Sequence, residues 1–356
     1  MTRSDGRVAR GYRMPAEWEP HRATWLVWPH NRADFEVKTT AVEWCYTEII
    51  RHLITSERVA LIVHDARVER RARRRLTQSD VDDSQIEWHR IPTDRSWIRD
   101  SGPIFVTRAT GRRDRVAATD WRFNGWARYR AWRRDNALPR HISERLDVPR
   151  FEISGPHGQF VLEGGSIDVN GDGLLLTTEE CLLSSVQARN PGVSRADIET
   201  VISGALGVKR VLWLGRGIIG DDTHGHVDDI ARFVAPSTVV AAVETDPTDE
   251  NYTALRDNRN KLAKMSAMDG TKLTIVPLPM PRPIYFEQQR LPASYTNFYI
   301  ANRVVLVPTF NDPADRIALA RLARVFTTRE VIGIHAVDLV LGLGTIHCLT
   351  QQEPDA

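Results

Sequence analysis

An α/β fold is predicted by three features of this 356-residue sequence. Short apolar runs recur along its whole length, β-branched or aromatic and bounded by Gly, Pro, Asn or Asp, which is how strands read. Between several of them lie segments with apolar residues at three- and four-residue steps, the spacing of amphipathic helices. No Ser/Gly- or Pro-rich linker interrupts the alternation. Residues 13–356 are therefore expected to form one α/β domain, behind a polar, Gly-containing tail of residues 1–12.

The first strand candidate is ATWLVWP (23–29). A helix follows in TAVEWCYTEIIRHLI (40–54), where Val42, Cys45, Ile49, Ile50 and Leu53 share one stripe and make Cys45 a core thiol. VALIVH (59–64) is the second strand. RVERRARRRL (67–76) concentrates arginines, which on a helix make a solvated basic face in preference to an RNA-binding patch. PIFVT (103–107) and GLLLTT (173–178) come next, the latter entered through VNGDGL, an Asn-Gly/Asp-Gly hairpin signal. Cys181, just beyond, sits among apolar residues and reads as core. STVVAAVET (237–245), KLTIVPL (272–278) and RVVLVPTF (303–310) complete the strands. DPADRIALARLARVF (312–326) is a helix started by an Asp-Pro pair.

Composition narrows the function. Apolar and charged fractions of 42% and 26% are those of an ordinary globular protein. A formal charge of +2 gives no strong field to draw nucleic acid or an anionic membrane. Three widely separated cysteines with no C-x-x-C spacing argue against a disulfide framework and a cysteine zinc site. No run has signal-peptide or membrane-spanning character, so a cytoplasmic location is expected.

Four segments place acidic or histidine side chains beside glycine at the ends of apolar runs. In RSWIRDSGPIFV (95–106), Asp100 lies between a Trp-Ile pair and a Ser-Gly-Pro turn; capping that turn is its structural alternative. In FVLEGG (160–165), Glu163 follows three apolar residues and would be poorly solvated without a partner. GIIGDDTHGHVDDIARFV (217–234) offers His224, His226 and Asp228, which share a face if the segment is extended. Metal ligation and acid–base work both suit that cluster. In GLGTIHCLTQQEP (342–354), Cys348 follows flexible glycines, as an exposed-loop nucleophile would. His347 would point the opposite way in an extended segment, leaving His226 the better proton carrier. A thiol, a histidine and paired carboxylates suit a planar cation, since a guanidinium meets carboxylates bidentately.

The sequence resembles the agmatine deiminases, of the guanidine-modifying superfamily that includes arginine and peptidyl-arginine deiminases. The likeness is carried by MPAEWEPHRATWLVWP (14–29), SWIRDSGP (96–103), FNGW (123–126), LEGGSIDVNGDGLLLTTEECLL (162–183), DDTHGHVDD (221–229), ASYTNFYIAN (293–302) and GTIHCLTQQEP (344–354). It implies a five-bladed α/β-propeller of ββαβ units around a pseudo-fivefold axis. It also implies a nucleophile at Cys348, an acid–base histidine at His226 oriented by Glu163, a substrate clamp at Asp100 and Asp228, and a pocket wall at Trp97.

The chemistry so implied is hydrolysis of agmatine through an S-alkylthiouronium on Cys348. No metal or organic cofactor takes part, and the partner is a small guanidinium substrate, not nucleic acid or membrane. The reading leaves room for a homo-oligomer. Arginine, peptidyl-arginine or another alkylguanidine are the alternative substrates, and a family member that has lost catalysis is the non-enzyme alternative. Three departures from the family pattern bear on substrate choice: the segment after FNGW, Leu343 and Thr345 in GLGTIHC, and His224 where Asp is common.

Overall fold

The computed structural model describes residues 11–35, 38–109 and 115–355. Of the expected tail, residues 1–10 lie outside that range, and Tyr12 is buried. Each apolar run named above forms a strand, from His21–Val27 to Val304–Thr309.

Four three-stranded sheets repeat one ladder among the described residues. Ile104–Thr107 pairs antiparallel with Val116–Asp120, which pairs parallel with Arg150–Glu152. A parallel pair needs a crossover, and helix Leu138–Leu146 supplies it. The same order joins Asp168–Val169, Leu174–Thr178 and Arg210–Leu214 around helix Arg195–Leu206. It recurs in Ala231–Ala235, Thr238–Val243 and Thr274–Pro279 around helix Tyr252–Leu262. Tyr299–Ile300, Val304–Thr309 and Glu330–His335 repeat it around helix Ala314–Val325. The remaining large sheet joins distant parts of the chain. Thr350–Pro354 runs antiparallel to His21–Val27, which pairs parallel with Arg58–Val63 across helix Thr39–Leu53, and Ile86–Arg90 adds a fourth strand.

Local sequence accounts for these elements. The middle strand of each sheet is covered on both faces, so Val59–Val63 and Leu174–Leu176 are buried throughout; fully burying one such side chain contributes about 2 kcal/mol. The stripe of helix Thr39–Leu53 is buried as its spacing predicts, and the Cys45 thiol donates to the His335 carbonyl at 3.2 Å. Asp312 accepts from the Ala314 amide at 2.8 Å, starting the helix that the Asp-Pro pair marks. Asn170 accepts from the Asp172 and Leu174 amides within the VNGDGL hairpin. Some arginines of helix Ala66–Gln78 are paired, Arg71 with Glu43 at 2.6 Å and Arg73 with Glu69 and Asp83 while covering Trp88, and Arg67, Arg70 and Arg74 are exposed.

The ladder also positions polar residues. Asp100 immediately precedes the first strand of its sheet, and Glu163, His226 with Asp228, Asn297 and Cys348 hold the corresponding place before Asp168, Ala231, Tyr299 and Thr350. Five sheets thus each contribute one turn to a common centre.

Candidate active site

Cys348 lies on the one-turn helix Ile346–Leu349 and is buried, not on the exposed loop that its glycine neighbours suggest. The turn changes the side-chain directions expected of an extended segment, and His347 joins the site as well. Asn297 organises this end. Its Nδ2 donates to Cys348 Sγ at 3.2 Å and to Asp229 Oδ1 at 3.0 Å, while its Oδ1 accepts from the Thr345 hydroxyl and the His347 amide. Thr345, one of the departures from the family pattern, therefore supports the residue that holds the Cys348 thiol.

Asp228 Oδ2 lies 3.7 Å from Cys348 Sγ and 2.7 Å from His347 Nδ1. The other ring nitrogen of His347 is 2.8 Å from Glu17 Oε2. Glu17 in turn meets Arg232 at 2.9 Å and Arg99 at 3.3 Å. His347 and the Arg232 guanidinium hold Glu17 well below the usual carboxylate range, against burial that would raise it. Burial opposes ionisation of Asp228 too, and His347 overcomes it, keeping that carboxyl below its ordinary value.

Asp100 stands on the short helix Ile98–Ser101. Its Oδ1 accepts from the Gly165 amide and its Oδ2 from Trp126 Nε1, each at 2.9 Å. The second glycine of the E-G-G motif allows this approach: a Cβ on Gly165 would lie 2.7 Å from His226 Nδ1 and 2.8 Å from Asp100 Oδ1. Gly344 plays a matching part, since a Cβ there would press on the Trp97 ring at 2.8 Å and on Cys348 Sγ at 3.2 Å. Burial pushes Asp100 up to about 6, with Asp228 and Glu163 adding to it and His226 working against them.

His226 Nδ1 faces Asp100 Oδ1 at 3.8 Å, and its Nε2 faces Glu163 Oε2 at 3.7 Å. These are ion-pair distances, longer than the hydrogen bond expected between Glu163 and His226. Burial works against a charged imidazole, yet Asp100 and then Cys181 and Glu163 raise His226 well above its ordinary value. Arg189, fully buried, donates from Nε to Glu163 Oε1 at 3.0 Å. It holds Glu163 down at about 2, despite burial that would raise it. His224 does not share a face with His226. It turns away at φ +66° to meet the Ser184 hydroxyl at 3.1 Å, because Gly225 follows at φ +92° and the segment is not extended.

Trp97, Asp100, Trp126, Tyr129, Leu343 and Cys348 line a cavity of about 90 Å³. At its outer part Arg95 pairs with Asp34 at 2.7 Å and covers Tyr129, which bonds Asp222. Cys348 feels this setting as well. Burial first, then Asp228, Asp229 and Asp100, push its thiol well above the ordinary value. The arrangement is an anionic cleft with a reluctant thiol at its floor, ready for a cation.

All six residues singled out in the sequence converge here. Glu17, Trp126, Arg189, Asn297 and His347 are the additions. Asn297 is the one with a usable signal, because ASYTNFYI precedes its strand just as the other polar turns precede theirs. Among the described residues, no helix is long and apolar enough to cross a membrane.

Comparison with known proteins agrees with this geometry. Residues 13–354 match the Porphyromonas-type peptidyl-arginine deiminase family. A curated agmatine deiminase of Ectopseudomonas mendocina is 36% identical over 369 aligned positions, 97% of this chain and 96% of that protein. The solved agmatine deiminase of Enterococcus faecalis superposes with a TM-score of 0.87 at 32% identity, covering 97% of this chain and 96% of that one. The C. jejuni agmatine deiminase with substrate bound gives 0.85 at 27% identity, covering 100% and 99%. An amidinotransferase from Microseira wollei, at 13% identity and a TM-score of 0.53, shares the fold alone. With an α/β architecture, a full-length family match and near-complete coverage by these relatives, the chain belongs to the Porphyromonas-type peptidyl-arginine deiminase family.

Proposed function

We propose that this protein hydrolyses a C–N bond of a small guanidinium substrate, agmatine first, giving N-carbamoylputrescine and ammonia. The observation that carries the reading is a buried thiol, Cys348, that lines the cavity together with the Asp100 carboxylate and has the buried Asp228 carboxylate 3.7 Å behind it. A planar guanidinium offers N–H donors to both carboxylates at once and presents its central carbon to the sulfur. Asp228 has one oxygen, Oδ1, without a hydrogen-bond partner among the described residues, which suits that task.

The same carboxylates that suppress the thiolate in the empty site would be offset by the bound cation. Cys348 ionises as the substrate arrives. Its thiolate attacks the guanidinium carbon, forming a C–S bond. The C–N bond to one terminal nitrogen then breaks as the His226 imidazolium gives that nitrogen its proton, and ammonia leaves. Cys348 now carries an S-alkylthiouronium. Neutral His226 takes a proton from water, the resulting hydroxide adds to the same carbon, and the C–S bond breaks to release the thiolate and the ureido product, whose hydroxyl proton passes to solvent. Glu163, kept ionised by Arg189, stabilises the charged form of His226 and holds the ring. Trp97 and Trp126 flank the alkyl chain.

Agmatine is favoured because the curated relative from Ectopseudomonas mendocina and the superposed E. faecalis and C. jejuni structures are all agmatine deiminases. The product so formed would serve polyamine synthesis. The five sheets with one ladder support a five-bladed propeller around a common axis, with this cleft at its centre. Three free buried thiols suit a reducing compartment and so a cytoplasmic location. Ammonia release from agmatine, arginine and a blocked arginyl peptide, with Cys348→Ala as control, tests the reading. Turnover of agmatine abolished by that substitution is expected; turnover that survives it would overturn the mechanism.

A further inference from the structure

Cys181 takes no part in the chemistry above, yet it is not an ordinary core thiol. Its Sγ, a ring nitrogen of His226 and a carboxylate oxygen of Glu163 all lie within 4.8 Å of one another, and all three residues are buried. Glu163 Oε2 and both nitrogens of His226 have no hydrogen-bond partner among the described residues. Buried polar atoms are ordinarily satisfied, so two orphaned ligand atoms, Glu163 Oε2 and one His226 nitrogen, converging on a thiol call for an account.

We propose that Cys181, His226 and Glu163 form an inhibitory site for one thiophilic divalent cation of the Zn²⁺ or Cd²⁺ class, separate from the nucleophile. Thiolate, imidazole and carboxylate are the donor set that such ions take, with a fourth position left to water. His226 Nε2 and Glu163 Oε2 are already 3.7 Å apart, close to the spacing of two donors on one tetrahedral ion. The outer partners are also present. Arg189 holds Glu163 through its other oxygen at 3.0 Å, leaving Oε2 to the ion. Asp100 faces the far ring nitrogen of His226, as carboxylates do behind metal-bound histidines. Cys181 is fixed by the Thr178 hydroxyl, which accepts from its amide at 3.0 Å. Arg189 opposes a dication by its charge, but Asp100, Asp228 and Glu163 surround the same space.

Binding needs two deprotonations. The Cys181 thiol and the His226 imidazolium each release one proton to solvent, so occupancy rises with pH. With the ion on Nε2 the His226 ring keeps its remaining proton on Nδ1 and has no lone pair left to take one from water, so hydrolysis stops until a chelator removes it. The site itself stands apart from the proposed function; only the inhibition rests on it.

The test uses the full chain carrying Cys348→Ser, titrated with Cd²⁺ while the ultraviolet thiolate-to-cadmium charge-transfer band is followed. The band is expected to saturate at one equivalent, to disappear in the Cys181→Ala/Cys348→Ser double variant, and to yield to added Zn²⁺. Loss of the Cys181 ligand should weaken Cd²⁺ binding by roughly 100-fold. With Cys348 intact, Cys181→Ser should resist Cd²⁺ concentrations that stop agmatine hydrolysis by the native enzyme. No band in Cys348→Ser, or a band unchanged in the double variant, overturns the proposal. Should the Cys181 variants fail to fold, anomalous scattering from Cd²⁺-soaked Cys348→Ser crystals decides: a peak among the three side chains supports the site, and its absence there refutes it. An enzyme silent on every guanidine would sink the proposed function and leave the titration to stand by itself.

Discussion

Replacing Arg189 by methionine isolates what one buried cation does for this site. The guanidinium holds Glu163 at about 2, against an ordinary value of 4.5. At 1.36 kcal/mol per pKa decade, that gap of about 2.5 corresponds to roughly 3 kcal/mol of folding stability at neutral pH. Arg189 is the largest favourable influence on Glu163, ahead of His226. It also donates to the Gln187 carbonyl at 3.0 Å and to the Thr223 carbonyl, hydrogen bonds worth about 1 kcal/mol each. A loss of about 5 kcal/mol is therefore expected, at the upper end of the usual range for breaking a buried pair from one side. Glu163 is a depressed carboxylate, so its contribution is full above 4.5 and fades as pH falls toward 2. In the variant, burial without Arg189 moves the carboxyl upward, and it protonates during acidification. The stability difference should shrink by about 1 kcal/mol between pH 7 and pH 4. Urea midpoints of both proteins at the two pH values measure this. A difference under about 1 kcal/mol at pH 7, or one that grows on acidification, would refute the electrostatic account.

Other consequences can be checked kinetically. Asp100 must be ionised to bind a guanidinium, so kcat/KM for agmatine should fall below an apparent pKa of about 6; Trp126→Phe removes the indole donor and should move that limb upward. The sign for stability is opposite to that of Glu163: a carboxyl raised in the folded state makes folding less favourable as pH climbs from 3.8 to about 6. Cys348 in the free enzyme should alkylate slowly with iodoacetamide at neutral pH, the rate still climbing at pH 9. A plateau below that would mean the carboxylates do not restrain the thiol. His347→Gln leaves Asp228 and Glu17 without the ring between them and should lower kcat/KM by about 100-fold, with a loss of roughly 3 kcal/mol in a thermal melt.

Of the five positions proposed for the chemistry, Glu163 after Phe-Val-Leu and Asp100 after Trp-Ile break an apolar pattern. His226 and Asp228 lie in a polar cluster and Cys348 follows glycines, while the role of each of the five comes from the family resemblance. Their neighbours were not legible. An extended segment puts His347 on the far side from Cys348, whereas the chain coils there into a single helical turn, which a glycine-rich stretch does not announce. His224 and His226 were expected to share a face, and two consecutive left-handed residues separate them. Arg189 comes from an irregular loop whose direction depends on tertiary contacts. Glu17 is far from everything it touches in sequence, 330 positions from His347. Long-range pairing of this kind leaves no local trace, whereas strand and helix patterns do.

The sheet that holds the nucleophile also records a timing. Thr350–Pro354 lies against His21–Val27, and Arg22 meets Glu353 across 331 positions. A ribosome must therefore deliver nearly the whole chain before that edge is covered, while the other large sheets can each assemble from neighbouring residues. Until then the early strand stays open along one side and the reactive sulfur does not yet exist. Closing the seam and arming the site are one event. A nascent deiminase is held inert by topology alone, and a chain released early would expose a strand edge without ever acquiring chemistry.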